Sequence, residues 1–96
     1  MSWSVNVTGS RAGVLAYLDA EMPKMASNYQ GKPECDDILS CHLRAKALVE
    51  ALDLSGTGPY DANAVTVEGI GSHSSTTAGL ANASFSLKVT RVRLAI

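Results

Sequence analysis

The residue types that could do chemistry in this 96-residue chain gather in two places. Residues 71–77 read Gly71-Ser72-His73-Ser74-Ser75-Thr76-Thr77, which sets one imidazole among hydroxyls. The second group is Cys35, Cys41 and His42, within one acidic, leucine-rich segment. Nucleophilic catalysis needs a hydroxyl hydrogen-bonded to a base, and a third group orienting that base. Adjacency in sequence does not supply this geometry, and GSHSS is not the G-x-S-x-G elbow. Nothing in the spacing of Asp61 or Glu68 marks them as orienting acids. A small enzyme using His73 is therefore the third choice, and no catalytic residue is assigned. Glycine, serine and threonine together also offer amides and hydroxyls that suit phosphate or another polar ligand. No Walker lysine follows, and no helix opens there. The expectation is a binding loop at 71–77, against the plainer reading of a hairpin connection.

The cysteines exclude two other chemistries. On one helix, positions six apart differ by about 240° and rise about 9 Å, which is beyond disulfide reach. Cys35 and His42 share a face but stand two turns apart, whereas zinc sites use tighter ligand pairs. Cys41 is expected in the core, Cys35 at an edge, and His42 at the boundary of an apolar face. No metal and no cofactor are expected.

Five elements must position these residues. Trp3, Val5 and Val7 alternate with Ser2, Ser4, Asn6 and Thr8, the period of a half-buried strand. Ser10 is a candidate N-cap for a helix over 10–22, whose face carries Val14, Leu15, Leu18, Met22 and Met25. Pro23 stops that helix or kinks it and lets it run a few residues further. After a loop at 26–33, Pro33 suits the first turn of a second helix. Glu34, Asp36 and Asp37 follow where negative charge favours the helix dipole. Ile38, Cys41, Ala45, Leu48, Val49 and Leu52 share its apolar face. Two strands complete the chain, 64–70 and 84–94, separated by a thirteen-residue loop at 71–83. Val65, Val67, Phe85, Leu87 and Val89 point inward. The alternation slips after Thr90, which calls for a bulge or for burial on both faces. The order β-α-α-β-β predicts an α+β fold of two layers, a three-stranded sheet with two helices packed on one face. The third strand is expected to pair with the second and to lie beside the first.

Two surfaces remain. The outer sheet face carries Ser2, Ser4, Asn6, Thr8, Thr66, Glu68, Ser84, Ser86, Lys88 and Thr90, flat and with little charge to repel a second copy. On the second helix, Leu39, Leu43 and Ala47 form a minor stripe suited to an oligomer interface. Only five residues are aromatic, so a homo-oligomer is expected to supplement the small core.

Eight basic and nine acidic residues give a formal net charge of −1. Nucleic-acid binders show a basic footprint. Here only Lys88, Arg91 and Arg93 cluster, so nucleic acid is not the expected partner. No stretch approaches the roughly 20 apolar residues that span a bilayer. MSWSVNVTGS lacks the features of a signal peptide, so a cytoplasmic location and no membrane partner are expected.

The opening Met1-Ser2-Trp3-Ser4-Val5, a following glycine, two Ala/Leu-rich helices and a V-x-V-x-G-x-G-S strand ending resemble small proteins of tailed bacteriophages and prophages. The resemblance transfers no site residue. It implies a viral protein in the host cytoplasm. One role is an early, non-enzymatic binding protein that sequesters a host protein or a small polar ligand, including a nucleotide signal of host defence. The other is a structural or accessory virion component.

Overall fold

A computed structural model describes residues 2–56, 58–75 and 81–94, with 73–75 and 81–84 described as backbone. The elements are β1 (Ser2–Ser10), α1 (Arg11–Asn28), α2 (Cys35–Ala51), β2 (Tyr60–Ser75) and β3 (Ala81–Arg93). The architecture is α+β, with both helices on one face of a three-stranded antiparallel sheet. The strand order is β1-β2-β3. β3 therefore lies beyond β2 and not beside β1, contrary to the sequence-based order. The reason is register. β1 pairs Ser2–Ser10 with Ser72–Ala64, and this occupies the side of β2 that β3 leaves open.

Each helix forms for reasons visible in its residues. The Ser10 hydroxyl accepts from the Gly13 amide at 3.1 Å, which satisfies one free donor of the first turn of α1. Val14 and Leu18 are buried on its inner face. The helix runs through Pro23 to Asn28, so Pro23 costs it one backbone bond without ending it. α2 begins at Cys35, two residues after Pro33, and buries Ile38, Cys41, His42, Ala45 and Val49. Asp36 and Asp37 occupy its first turn. The Lys46–Asp19 ion pair joins the two helices. Among the described residues no helix is long and apolar enough to cross a membrane.

The core lies between the layers: Val5, Val14, Leu18, Cys41, Ala45, Val49, Val65 and Val67, flanked by Val7, Leu15, Leu52, Phe85, Leu87 and Val89. The irregularity expected in β3 sits in β2 instead. Tyr60 pairs with Arg93 and Val65 with Arg91, so residues 61–64 oppose the single Val92. Asp61 holds this bulge by accepting from the Asn63 and Ala64 amides at 2.8 and 2.9 Å. A side-chain carboxylate thus takes up amides that the ladder cannot pair.

The largest departure concerns residues 71–83. β2 continues to Ser75 and β3 starts at Ala81, with His73 paired to Ala83, Ser74 to Asn82 and Ser75 to Ala81. Residues 71–75 and 81–83 are strand where a loop was expected. Their backbone groups pair with each other, which needs no apolar alternation. The hairpin runs past the end of β1, which stops opposite Ser72. The Cα radius of gyration is 15.3 Å, against about 12.5 Å for a compact chain of this length.

The segment after α2 is pinned by two arginines. Arg11 donates to the Leu52 carbonyl, and Arg91 to those of Leu54 and Gly56 at 3.2 and 3.0 Å. Asp53 accepts from the Ser55 hydroxyl at 2.6 Å and its amide at 2.9 Å. These bonds, aided by the Arg91 and Arg11 charges, hold its carboxyl below the usual 3.8. A depressed folded pKa adds stability above the unfolded value and loses it as pH falls through the folded one. Asp53→Asn should therefore flatten the fall in melting temperature below about pH 4. An acid limb identical to that of the parent chain would show that this contact does not contribute.

Candidate functional site

Because both helices cover the inner face, the outer face of the sheet is open. The register lays its residues in rows across the three strands. Thr8, Thr66 and Thr90 form one row, with the Thr8 and Thr66 hydroxyls hydrogen-bonded at 2.9 Å. Asn6, Glu68 and Lys88 form the next, an amide, a carboxylate and an ammonium side by side. Ser4, Ile70 and Ser86 follow, then Ser2, Ser72 and Ser84. The face is nearly neutral, since Glu68 and Lys88 are cross-strand neighbours. Among the residues of these four rows the one large apolar side chain is Ile70, which is 68% exposed.

Ile70 stands between two hollows. One, of about 340 Å³, is lined by Ser4, Asn6, Glu68, Gly69, Ile70, Ser86 and Lys88. The other, of about 410 Å³, is lined by Ile70, Gly71, Ser72, Phe85 and Ser86. Both contain glycine, and the reason lies on the opposite face. A β-carbon on Gly69 would come within 2.6 Å of Leu87 Cδ2, and one on Gly71 would fall inside the Trp3 indole. The inward glycines make room for these two side chains. A larger hollow of about 500 Å³ lies at the other end of the domain, between the start of α1 and Leu54 and Asn63. The cation that lines it, Arg11, is already bonded to Leu52. We therefore place the candidate site on the outer face, where amide, hydroxyl and charged groups converge on an apolar centre.

The other sequence-selected residues divide as follows. Gly71 is buried beneath Trp3, and Ser72 is exposed at the outer face. His73, Ser74 and Ser75 are ladder residues of β2, not members of a loop. Thr76 and Thr77 lie outside the described residues. In the helical stripe, Leu43 is 55% exposed and Ala47 is exposed, while Leu39 is half-buried. Cys41 is fully buried and Cys35 half-buried at the first turn of α2, and both are free thiols. Burial pushes the Cys41 thiol up from its usual 9.0, opposed by the nearby Trp3 indole N–H. Among the described residues that N–H makes no hydrogen bond of normal geometry. His42 is buried rather than at the boundary, and its Nδ1 lies 2.8 Å from the Ile38 carbonyl. A carbonyl only accepts, so Nδ1 carries the proton and donates. Among the described residues no three His, Cys, Asp or Glu side chains converge as metal ligands.

Searches against protein-family models, curated proteins and solved structures find no match to this chain. The site is therefore read from its own chemistry. Sequence reasoning placed most of this face correctly but passed over Ile70. Strand parity carried the signal, since Ile70 shares the outward phase of Thr66 and Glu68.

Proposed function

We propose that this protein is a non-catalytic binding module, working as a homo-oligomer, that captures a small polar ligand on the open face of its sheet. The observation that carries the reading is the exposed Ile70 ringed by Ser4, Asn6, Glu68, Ser86 and Lys88. An apolar centre gives contact area, and the surrounding amide, carboxylate, ammonium and hydroxyls fix orientation. Lys88 supplies the charge for a phosphate or carboxylate, and Asn6 and the serines suit a base or sugar edge. Such a site binds without bond-making. With the resemblance of the sequence to phage proteins, this supports sequestration of a host nucleotide signal as the role. A second reading, an accessory virion protein, draws support from the uncharged outer edge of β1, which suits assembly.

The test is an amide-resolved NMR titration with mononucleotides, cyclic dinucleotides and ADP-ribose. The expected shifts centre on Ser4, Asn6, Glu68, Ile70, Ser86 and Lys88. Lys88→Ala should weaken binding of the responding probe about tenfold, the loss of roughly 1.4 kcal/mol. Shifts centred on Arg11, Leu54 and Asn63 would move the site to the other hollow and overturn this reading.

A further inference from the structure

The two edges of the sheet are built differently. β3 carries Lys88, Arg91 and Arg93, the charges that keep an edge from pairing with another chain. β1, SWSVNVTGS, has no charged residue and no proline. Its nine residues pair with β2 without a register shift, so no bulge twists its outer edge away. Alternate residues of an edge strand direct their N–H and C=O groups outward. On nine residues that leaves about eight to ten backbone groups for a further strand.

We propose that a second copy of this chain pairs antiparallel along β1, about a two-fold axis at Asn6, joining the two sheets into one of six strands. This deepens the oligomer part of the reading above and rests on it. Three observations favour a second copy as the occupant. First, a symmetric pairing sets each residue against its own kind of surface, and an uncharged strand meets no like charge. Second, centring on Asn6 uses all nine residues and matches size across the seam. Trp3 falls opposite Gly9, Val5 opposite Val7, Ser4 opposite Thr8, and Asn6 opposite Asn6 of the second copy. Both inner faces stay on the helix side. Third, α1 presents an aromatic above the same edge. Asp19 marks the side of α1 turned to α2 through its ion pair with Lys46. Tyr17, two residues away, lies about 160° round the helix from it. It is therefore on the side away from α2, and it is 41% exposed.

A contact about 30 Å long and two layers deep, roughly 20 Å, covers about 600 Å² on each copy. The total of about 1,200 Å² clears the roughly 1,000 Å² that a specific interface requires. The pairing also completes the candidate site. Its hollow reaches β1 at Ser4 and Asn6, where Thr8 and Asn6 of the second copy would close the open side.

Two measurements on the full chain test this. In a Cys35→Ser background, Asn6→Cys places two thiols on the axis, with Cα atoms about 4.5–5.5 Å apart and within disulfide reach. Mild oxidation should give a covalent dimer from Asn6→Cys and none from Lys88→Cys on β3. Light scattering should show the parent chain as a dimer. Ser4→Lys with Asn6→Lys should weaken that dimer at least tenfold while circular dichroism and cooperative melting are retained. A monomeric parent chain at high micromolar concentration would overturn both the oligomer and its edge. A dimer whose affinity survives the lysine pair, or equal cross-linking at Lys88→Cys, would keep an oligomer and overturn the β1 seam.

Discussion

Gly71→Ala is expected to destabilise the fold by roughly 1–3 kcal/mol, the usual cost of overpacking. The added methyl would enter the space of Trp3 Cε2, Cζ2 and Nε1, all of them within 3.0 Å. The indole is 9% exposed and lies between sheet and helices, so it has little freedom to retreat. For a domain of this size each kcal/mol lowers the melting temperature by roughly 4–8 °C. The mechanism predicts a signature beyond the loss itself. With Trp3→Leu already present, Gly71→Ala should cost much less, a coupling of about 1 kcal/mol or more. Additive effects of the two substitutions in a urea double-mutant cycle would show that the indole is not the obstruction.

Leu18→Ala should cost roughly 3–5 kcal/mol, the range for truncating a fully enclosed leucine. Leu18 is 0% exposed, at the centre of a core that also holds Val14, Cys41, Ala45, Val49, Val65 and Val67. Aliphatic side chains of fixed length surround it, so the cavity has no long flexible neighbour to fill it. Against a total of roughly 5–14 kcal/mol for 96 residues, this loss brings the chain close to unfolding. Leu43→Ala, at a site 55% exposed, should stay within about 0.5 kcal/mol. Comparable losses at the two positions would mean that Leu43 is covered by another chain in solution.

The helices and the centres of their buried faces were legible because each carries an apolar stripe, although on α2 Leu48 is 38% exposed and His42 is buried. Val14 and Leu18 on α1, and Ile38, Cys41, Ala45 and Val49 on α2, fall where a 3.6-residue period puts them. The far half of β2 was not legible, and the cause is specific. Its inward positions after Val67 are Gly69 and Gly71, because Leu87 and Trp3 fill the space above them. The apolar member of the alternation is therefore supplied by other strands, and β2 alone reads as a glycine-serine loop. The placement of His73 in a loop came from the same misreading. The strand order was hidden for a different reason. Pairing β1 with β2 joins residues 54 (Ser10 to Ala64) to 70 (Ser2 to Ser72) apart, and no local pattern encodes that choice. On the outer face, alternation identified the hydroxyl rows. Ile70 escaped because it stood at the apparent end of its strand.

The pairing of β1 with β2 also sets a timetable for synthesis. β1 leaves the ribosome before α1 and α2, and its partner β2 follows both helices. Thr8 waits for Thr66, and Ser2 waits for Ser72. At about 5–20 residues per second, the delay from residue 10 to residue 72 is roughly 3–12 s. The α1–α2 hairpin can collapse during that interval, because its contacts are local. Trp3, Val5 and Val7 cannot, and β1 stands bare on both edges in the nascent chain. Neighbouring chains on one polysome then expose the same uncharged strand to each other before either sheet exists.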